Sequence, residues 1–237
     1  MRAFSYLALS GIIGLALGDS CLFRAFVIIG TRLTLLIFTV SPIIVAVTAW
    51  IVLGEKLGLM AALGIIITLS GVAWVTAERS YDNRVNNYAD KGSKKFGVLL
   101  ALGGAAGQAI GLVLAKAGMS EGLEPLPATF IRMITAVAAI WLFSLITGDI
   151  KETGRKLKDT RALLLAMGGA ICGPFLGVWL SLVAVKYTQA GTAATIMATV
   201  PVMVIPVVIV VFKEKVSFRA IFGAIIAAGG VALLFLG

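Results

Sequence analysis

Asp19 and Arg132 stand inside otherwise apolar stretches, and they are where the sequence concentrates chemistry. Arg132 lies about a third of the way into the stretch Leu126–Thr147. A bare guanidinium at the centre of a bilayer costs about 2.5–3.5 kcal/mol even on insertion scales, so this one must face protein or water. There it can anchor an anionic group such as a substrate carboxylate; pairing within the protein, or snorkelling to the interface, is the alternative. Asp19 is the one carboxylate well inside an apolar stretch and can take a cation, a proton or an amine, with local pairing to Arg24 as the plainer use. Gln108, Ser181 and Thr199 are neutral polar groups able to hydrogen-bond a small molecule or a neighbouring helix, as are Tyr187 and Thr195. Trp50 and Trp74 near stretch ends suit the membrane interface, whereas Trp179 lies deeper and is the better cavity wall. Pro42, Pro201 and Pro206 each lack the amide hydrogen a helix interior needs, so each is a candidate hinge or source of a free carbonyl.

Other chemistries find no support. There is no histidine, which removes the commonest general base and transition-metal ligand together. Cys21 and Cys172 are far apart and give neither a disulfide framework nor metal spacing. No clustered acidic motif or phosphate-cradling loop occurs, so no catalytic residue, metal site or cofactor is expected, and a membrane-embedded enzyme is the weakest functional reading. Glu55 and Glu214, each following an apolar stretch and preceding a lysine, read as helix-boundary charges.

The elements that must hold these residues are membrane helices. Of 237 residues 60% are hydrophobic and 13% charged, more apolar surface than a soluble domain of this length can hide. About 20 apolar residues cross a bilayer as a helix, and eight stretches qualify: Phe4–Phe23, Leu33–Leu53, Leu59–Val75, Phe96–Ala115, Leu126–Thr147, Ala162–Val185, Gly191–Phe212 and Ala220–Phe235. The expected fold is therefore an all-α membrane protein of about eight transmembrane helices, with the lipid bilayer as its first partner. The first stretch is too long, and too charged at its far end, for a cleaved signal peptide. Numbering the membrane faces alternately puts fifteen of the twenty basic residues on one face, including those of the connections Ala77–Lys95 and Gly148–Thr160. The opposite face holds only Arg2, Lys56, Lys116 and Lys186. The net charge of +9 thus reads as membrane topology and not as nucleic-acid binding, and the positive-inside rule puts both termini outside the cytoplasm. Multi-pass insertion in the plasma membrane is expected.

The sequence also repeats itself at a constant offset of 159 residues. Gly14 meets Gly173, Gly18 meets Gly177, Pro42 meets Pro201, Glu55-Lys56 meets Glu214-Lys215, Gly64 meets Gly223 and Gly71 meets Gly230. Corresponding stretches lie an odd number of crossings apart, so the two copies run through the membrane in opposite senses, the mark of carriers in which two halves rock about a central site. The expected organisation is a partial first repeat of three helices over 1–78, a polar linker over 79–95, and a second repeat of five helices over 96–237. On that reading the chain looks like a 5+5 helix protein lacking two N-terminal helices. Glycines Gly103, Gly107 and Gly111, like Gly14 with Gly18 and Gly173 with Gly177, recur at every fourth position and suit close helix packing.

Ser41-Pro42 through Gly54-Glu55-Lys56 to Gly64 and Gly71, its copy Val200-Pro201 through Lys213-Glu214-Lys215 to Gly223 and Gly230, and Leu126-Pro127 followed by Arg132 together resemble the EamA-type branch of the drug/metabolite transporter superfamily. The resemblance implies two five-helix repeats, cytoplasmic termini, and ATP-independent secondary transport of small metabolites, often amino-acid export. Substrate candidates are then Arg132, Asp19, Gln108, Trp179, Ser181 and Thr199, with a proton or cation as coupling ion and a homodimer as one assembly. Efflux of hydrophobic cations through Asp19 and aromatic walls is the competing carrier reading, and a truncated chain inactive alone is another.

Overall fold

The computed structural model describes residues 2–78, 94–120, 122–147, 160–211 and 217–236, and every regular element among them is a helix. The chain opens with α1 (Arg2–Ser10), passes through a π segment (Gly11–Gly18) and continues as α2 (Asp19–Phe38). Glycine permits the break inside α2, where Gly30 takes φ 79° and ψ 161°. After a turn at Thr39–Val40 come α3 (Ser41–Leu53), ended by left-handed Gly54 at φ 69°, and α4 (Leu59–Glu78). Next are α5 (Lys94–Met119) and α6 (Pro125–Thr147). The remainder is α7 (Thr160–Ala170), a second π segment (Ile171–Phe175), α8 (Leu176–Tyr187), α9 (Ala190–Met197), α10 (Val200–Val211) and α11 (Phe218–Leu236).

Among the described residues seven helical stretches are long and apolar enough to cross a membrane, from Arg2–Thr31 to Phe218–Phe235. The eighth expected stretch, Gly191–Phe212, is divided instead: α9 and α10 have 8 and 12 residues and meet at a turn over Ala198–Thr199. The turn precedes Pro201, in keeping with the bias of prolines against helix on their N-terminal side. The first stretch runs on to Thr31, past the expected end at Phe23. The linker over 79–95 lies almost wholly outside the described residues, as do most of Gly148–Thr160 and the boundary residue Glu214.

Backbone irregularities recur at the sequence offset. The second π segment falls on residues 12–16 of the first, extended Gln189 (ψ 138°) on the Gly30 break, and the Ala198–Thr199 turn on Thr39–Val40. In the second copy Pro174 sits inside the π segment and denies the helix a hydrogen bond there. Pro42 and Pro201 interrupt their expected spans at the turn just ahead of each, Thr39–Val40 and Ala198–Thr199, and not within a helix. Both lie in the first turn of a helix, α3 and α10, where a missing amide hydrogen costs nothing. Pro206 alone of the three is inside a helix, and it is exposed.

Close glycine contacts hold the bundle. In the bilayer lipid competes for apolar surface, so helices associate through backbone approach at small residues. The most extensive contact between described helices is α4 on α11. A methyl on Gly71 would meet Ala227 and the Gly223 carbonyl, and one on Gly64 would meet Leu234 and the Gly230 carbonyl. Residue order along the two helices is reversed, so they run antiparallel, and each pairing is the other's image under the repeat. Outward faces such as Ile134, Val137, Leu142 and Ile146 on α6 remain exposed, as lipid contact requires.

Candidate functional site

Helix α5 presents a seam of Gly97, Ala101, Gly104, Gln108, Gly111, Ala115 and Gly118, alternating steps of four and three as a helix face packed along its whole length does. Gln108 is its one polar side chain. The first span lies against this seam in reverse order: Gly118 touches Leu7, Gly111 touches Gly14 and Ser10, Gly107 touches Gly18, Gly104 touches Leu22, and Gly97 touches Ile28 and Ile29. Of the expected stripe, Gly111 lies on the seam and Gly107 beside it, against Gly18. Gly103 is instead exposed, with only the Cys21 sulfur near the place of its missing side chain, because a spacing of exactly four drifts off a face that repeats at 3.5.

Across the seam Gln108 Nε2 donates to Asp19 Oδ1, at the junction where the π segment returns to α-helix. The other side of the first span rests on α6, where Gly11 packs against the Arg132 carbonyl and the Thr135 hydroxyl. Arg132 itself is 2% exposed. A methyl on Gly14 would lie 3.4 Å from its Nη2, so the guanidinium reaches the first span at Gly14. Arg132 Nε has no hydrogen-bond partner, and no ion pair to the guanidinium occurs among the described residues. Asp19 is the charge it feels across the first span, and that carboxylate is already engaged by Gln108.

Three expected residues thus converge, two of them flanking the π segment from α5 and α6 and the third at its end. π bulges recur at functional sites because they redirect side chains and loosen local hydrogen bonding. Polar neighbours are otherwise satisfied: Ser10 Oγ donates to the Gly111 carbonyl (2.5 Å), and the Thr135 hydroxyl to the carbonyls of Ile131 (2.9 Å) and Arg132 (3.0 Å). The remaining candidates are not drawn in by any contact. Ser181 and Thr199 donate to carbonyls of their own segments, Val178 (2.7 Å) and Ile196 (2.6 Å), and Trp179 is half-buried on α8. Gly14, Gly111 and Ser10 are the lining that residue chemistry alone did not single out; the four-three spacing on α5 was the signal for it.

Arg132 is therefore an unpaired cation in a region that expels charge, beside a carboxylate and an amide facing each other. Such a set can hold a small anionic group at Arg132, with Asp19 and Gln108 within the same neighbourhood as acceptor and donor.

Among solved structures fourteen chains match this one. One of them, described only as the crystal structure of a protein, superposes with a TM-score of 0.65 at 15% identity and covers 100% of this chain and 88% of its own. At that identity the likeness is one of fold. No curated protein sequence matches. The pattern of the EamA-like transporter family matches residues 1–77 and again 95–236. Helical spans, fold and matched sequence agree, and the chain belongs to the EamA-like transporter family, multi-pass membrane proteins that carry small molecules.

Proposed function

We propose that the chain is a secondary carrier of small metabolites bearing an anionic group, amino acids among them, and that it works by alternating access in the plasma membrane. The two halves are residues 1–78 and 96–237, joined by 79–95; the two separate stretches that match the family support this division. Arg132 anchors the anionic group, Asp19 and Gln108 flank it, and Asp19 is also the one described intramembrane carboxylate able to hold a coupling proton or a substrate amine.

The observation that carries this reading is the unpaired guanidinium. Breaking a buried pair by removing one partner costs about 3–5 kcal/mol, since an uncompensated charge remains. Arg132 has only the Asp19 charge across the first span to offset its burial, and a substrate carboxylate would supply a direct partner, bidentate and charge-assisted. A cation carrier would rest on Asp19 instead, whose Oδ1 already accepts a hydrogen bond from Gln108, and would leave the buried guanidinium without a use.

The test is counterflow of a radiolabelled amino-acid and metabolite panel in proteoliposomes, comparing the chain with Arg132→Ala, Arg132→Met and protein-free vesicles. Saturable flux of carboxylated compounds should fall by more than about tenfold in both variants, the equivalent of losing roughly 1.4 kcal/mol of binding. Thermal unfolding of Arg132→Met in detergent should match or exceed that of the parent. Full flux in Arg132→Met would remove Arg132 from the site, and a variant that fails to fold would make it a structural residue.

A further inference from the structure

We infer that Glu55 is the anchor of an ionic latch that holds one end of the bundle shut. Gly54 at φ 69° ends α3 and turns the chain so that Glu55 projects toward the second half of the molecule. Its Oε1 pairs with Lys116 Nζ of α5 at 2.6 Å, and its Oε2 accepts the Ala190 amide hydrogen at 2.8 Å, at the N-terminus of α9. Lys116 Nζ also donates to the Thr188 carbonyl at 2.6 Å, and Gln189 Nε2 donates to the Lys56 carbonyl at 3.4 Å. Three contacts thus tie the α3–α4 connector to α5, to the α8–α9 connector and to the start of α9, and the fourth ties α5 to the α8–α9 connector.

The Glu55 and Lys116 side chains are only 15% and 20% exposed, so the pair is better shielded than a surface ion pair, and the dipole of α9 adds to its hold on the carboxylate. All of these residues lie at the membrane face that is poor in basic residues. Directly beneath them Leu7, Ala115, Met119, Leu182, Val185 and Ala193 form one packed cluster. Farther along the same sixth span the packing stops: among the described residues nothing lies within 4 Å of where side chains on Gly168, Gly169, Gly173 and Gly177 would begin. One end is sealed by apolar packing under a charged clasp, and toward the other end the described residues leave this stretch of the sixth span uncovered.

The inference rests on the alternating-access reading. For a passage to open at the sealed end, the α3–α4 connector must part from the α8–α9 connector, and the Glu55 contacts are what hold them together. The latch therefore biases the carrier toward the state closed at this face, and removing it shifts the population the other way.

In a background lacking Cys21 and Cys172, single cysteines replace Thr192, 7% exposed beneath the latch, or Thr34, fully buried just beyond the Gly30 break. Alkylation of each by a membrane-impermeant maleimide is then compared with and without Glu55→Gln, and again with Lys116→Met. Both latch variants should speed modification of Thr192→Cys by roughly tenfold, the shift that loss of one charge-assisted contact brings, and leave Thr34→Cys unchanged or slower. An unchanged Thr192→Cys rate overturns the latch, and so does an equal rise at both positions, which would mean general loosening. The readout needs no substrate, so an absence of flux in proteoliposomes and a failure of the latch are separate results.

Discussion

Gly14 and Gly18 in the first span and Gly173 and Gly177 in the sixth occupy matching places in two copies of one pattern, each pair in or just after a π segment and ahead of a break in the helix. Their surroundings differ. A methyl on Gly14 would lie 3.3 Å from the Gly111 Cα, and one on Gly18 3.2 Å from the Gln108 amide nitrogen, whereas Gly173 and Gly177 have nothing described within 4 Å. The backbone distortions are therefore set locally, by glycine and proline, and persist whether or not another helix covers them. Polarity follows the covering: Asp19, with Gln108 opposite, belongs to the packed copy, and its counterpart in the open copy is Val178. A polar site has been built only where a second helix shields it from lipid.

The most severe way to break this comparison is to put the same bulk into both copies. Gly111→Leu places its Cβ 2.7 Å from the Gly14 Cα and 3.1 Å from the Ser10 carbonyl, contacts that only movement of backbone can relieve. Overpacking costs typically 1–3 kcal/mol and more where backbone is the obstacle, so a loss of about 3 kcal/mol is expected in denaturant unfolding in detergent micelles. Gly173→Leu should change stability by no more than about 0.5 kcal/mol, as exposed sites do. Equal losses would show that a partner covers the sixth span in the assembled protein.

A carboxylate introduced into the open copy makes the next largest effect. Val178→Asp has no partner like Gln108 among the described residues and lies on a span with little described packing against it, so it should cost about 2.5–3.5 kcal/mol of insertion free energy, read as a fall in the membrane-inserted fraction. Asp19→Val, the reverse change, removes a charge that the protein has already sheltered and should insert as well as the parent while losing flux. If both variants inserted alike, the shielding of Asp19 by α5 would have no energetic content.

How far the sequence foretold this difference depends on the kind of feature. Seven of the eight expected spans followed from length and apolarity, and the repeat from glycines and prolines at matched depths, because these are properties of single residues and their order. Arg132 and Asp19 were conspicuous as lone charges in apolar runs. Their convergence with Gln108 was not, since it depends on which face of α5 meets the first span, and the four-three glycine spacing that fixes this face passes through Gly104 and not Gly103. The break at Gly30 and the π segments were also hidden, as apolar helix-forming residues surround them on both sides. Ser181, Thr199 and Trp179 show the converse: polar or aromatic type suggested a role, but the two hydroxyls donate to carbonyls of their own segments and none of the three is drawn to Arg132, Asp19 or Gln108 by a described contact.

The α4–α11 crossing is the place where the two copies meet each other, and there the repeat departs from itself at a buried hydroxyl. Thr68 is fully buried with Oγ1 lacking a partner, close against Gly230, while its counterpart on α11 is Ala227. A buried hydroxyl without a hydrogen bond is a net cost, and replacing it by an apolar group of the same shape removes that cost. Thr68→Val should therefore raise stability by about 1 kcal/mol in the same micelle measurement and leave flux unchanged, if the crossing stays closed throughout the cycle. A loss of flux at raised or equal stability would mean the hydroxyl finds its partner in the other state of the carrier, which would make this symmetric contact a moving part and not the fixed axis between the covered span and the open one.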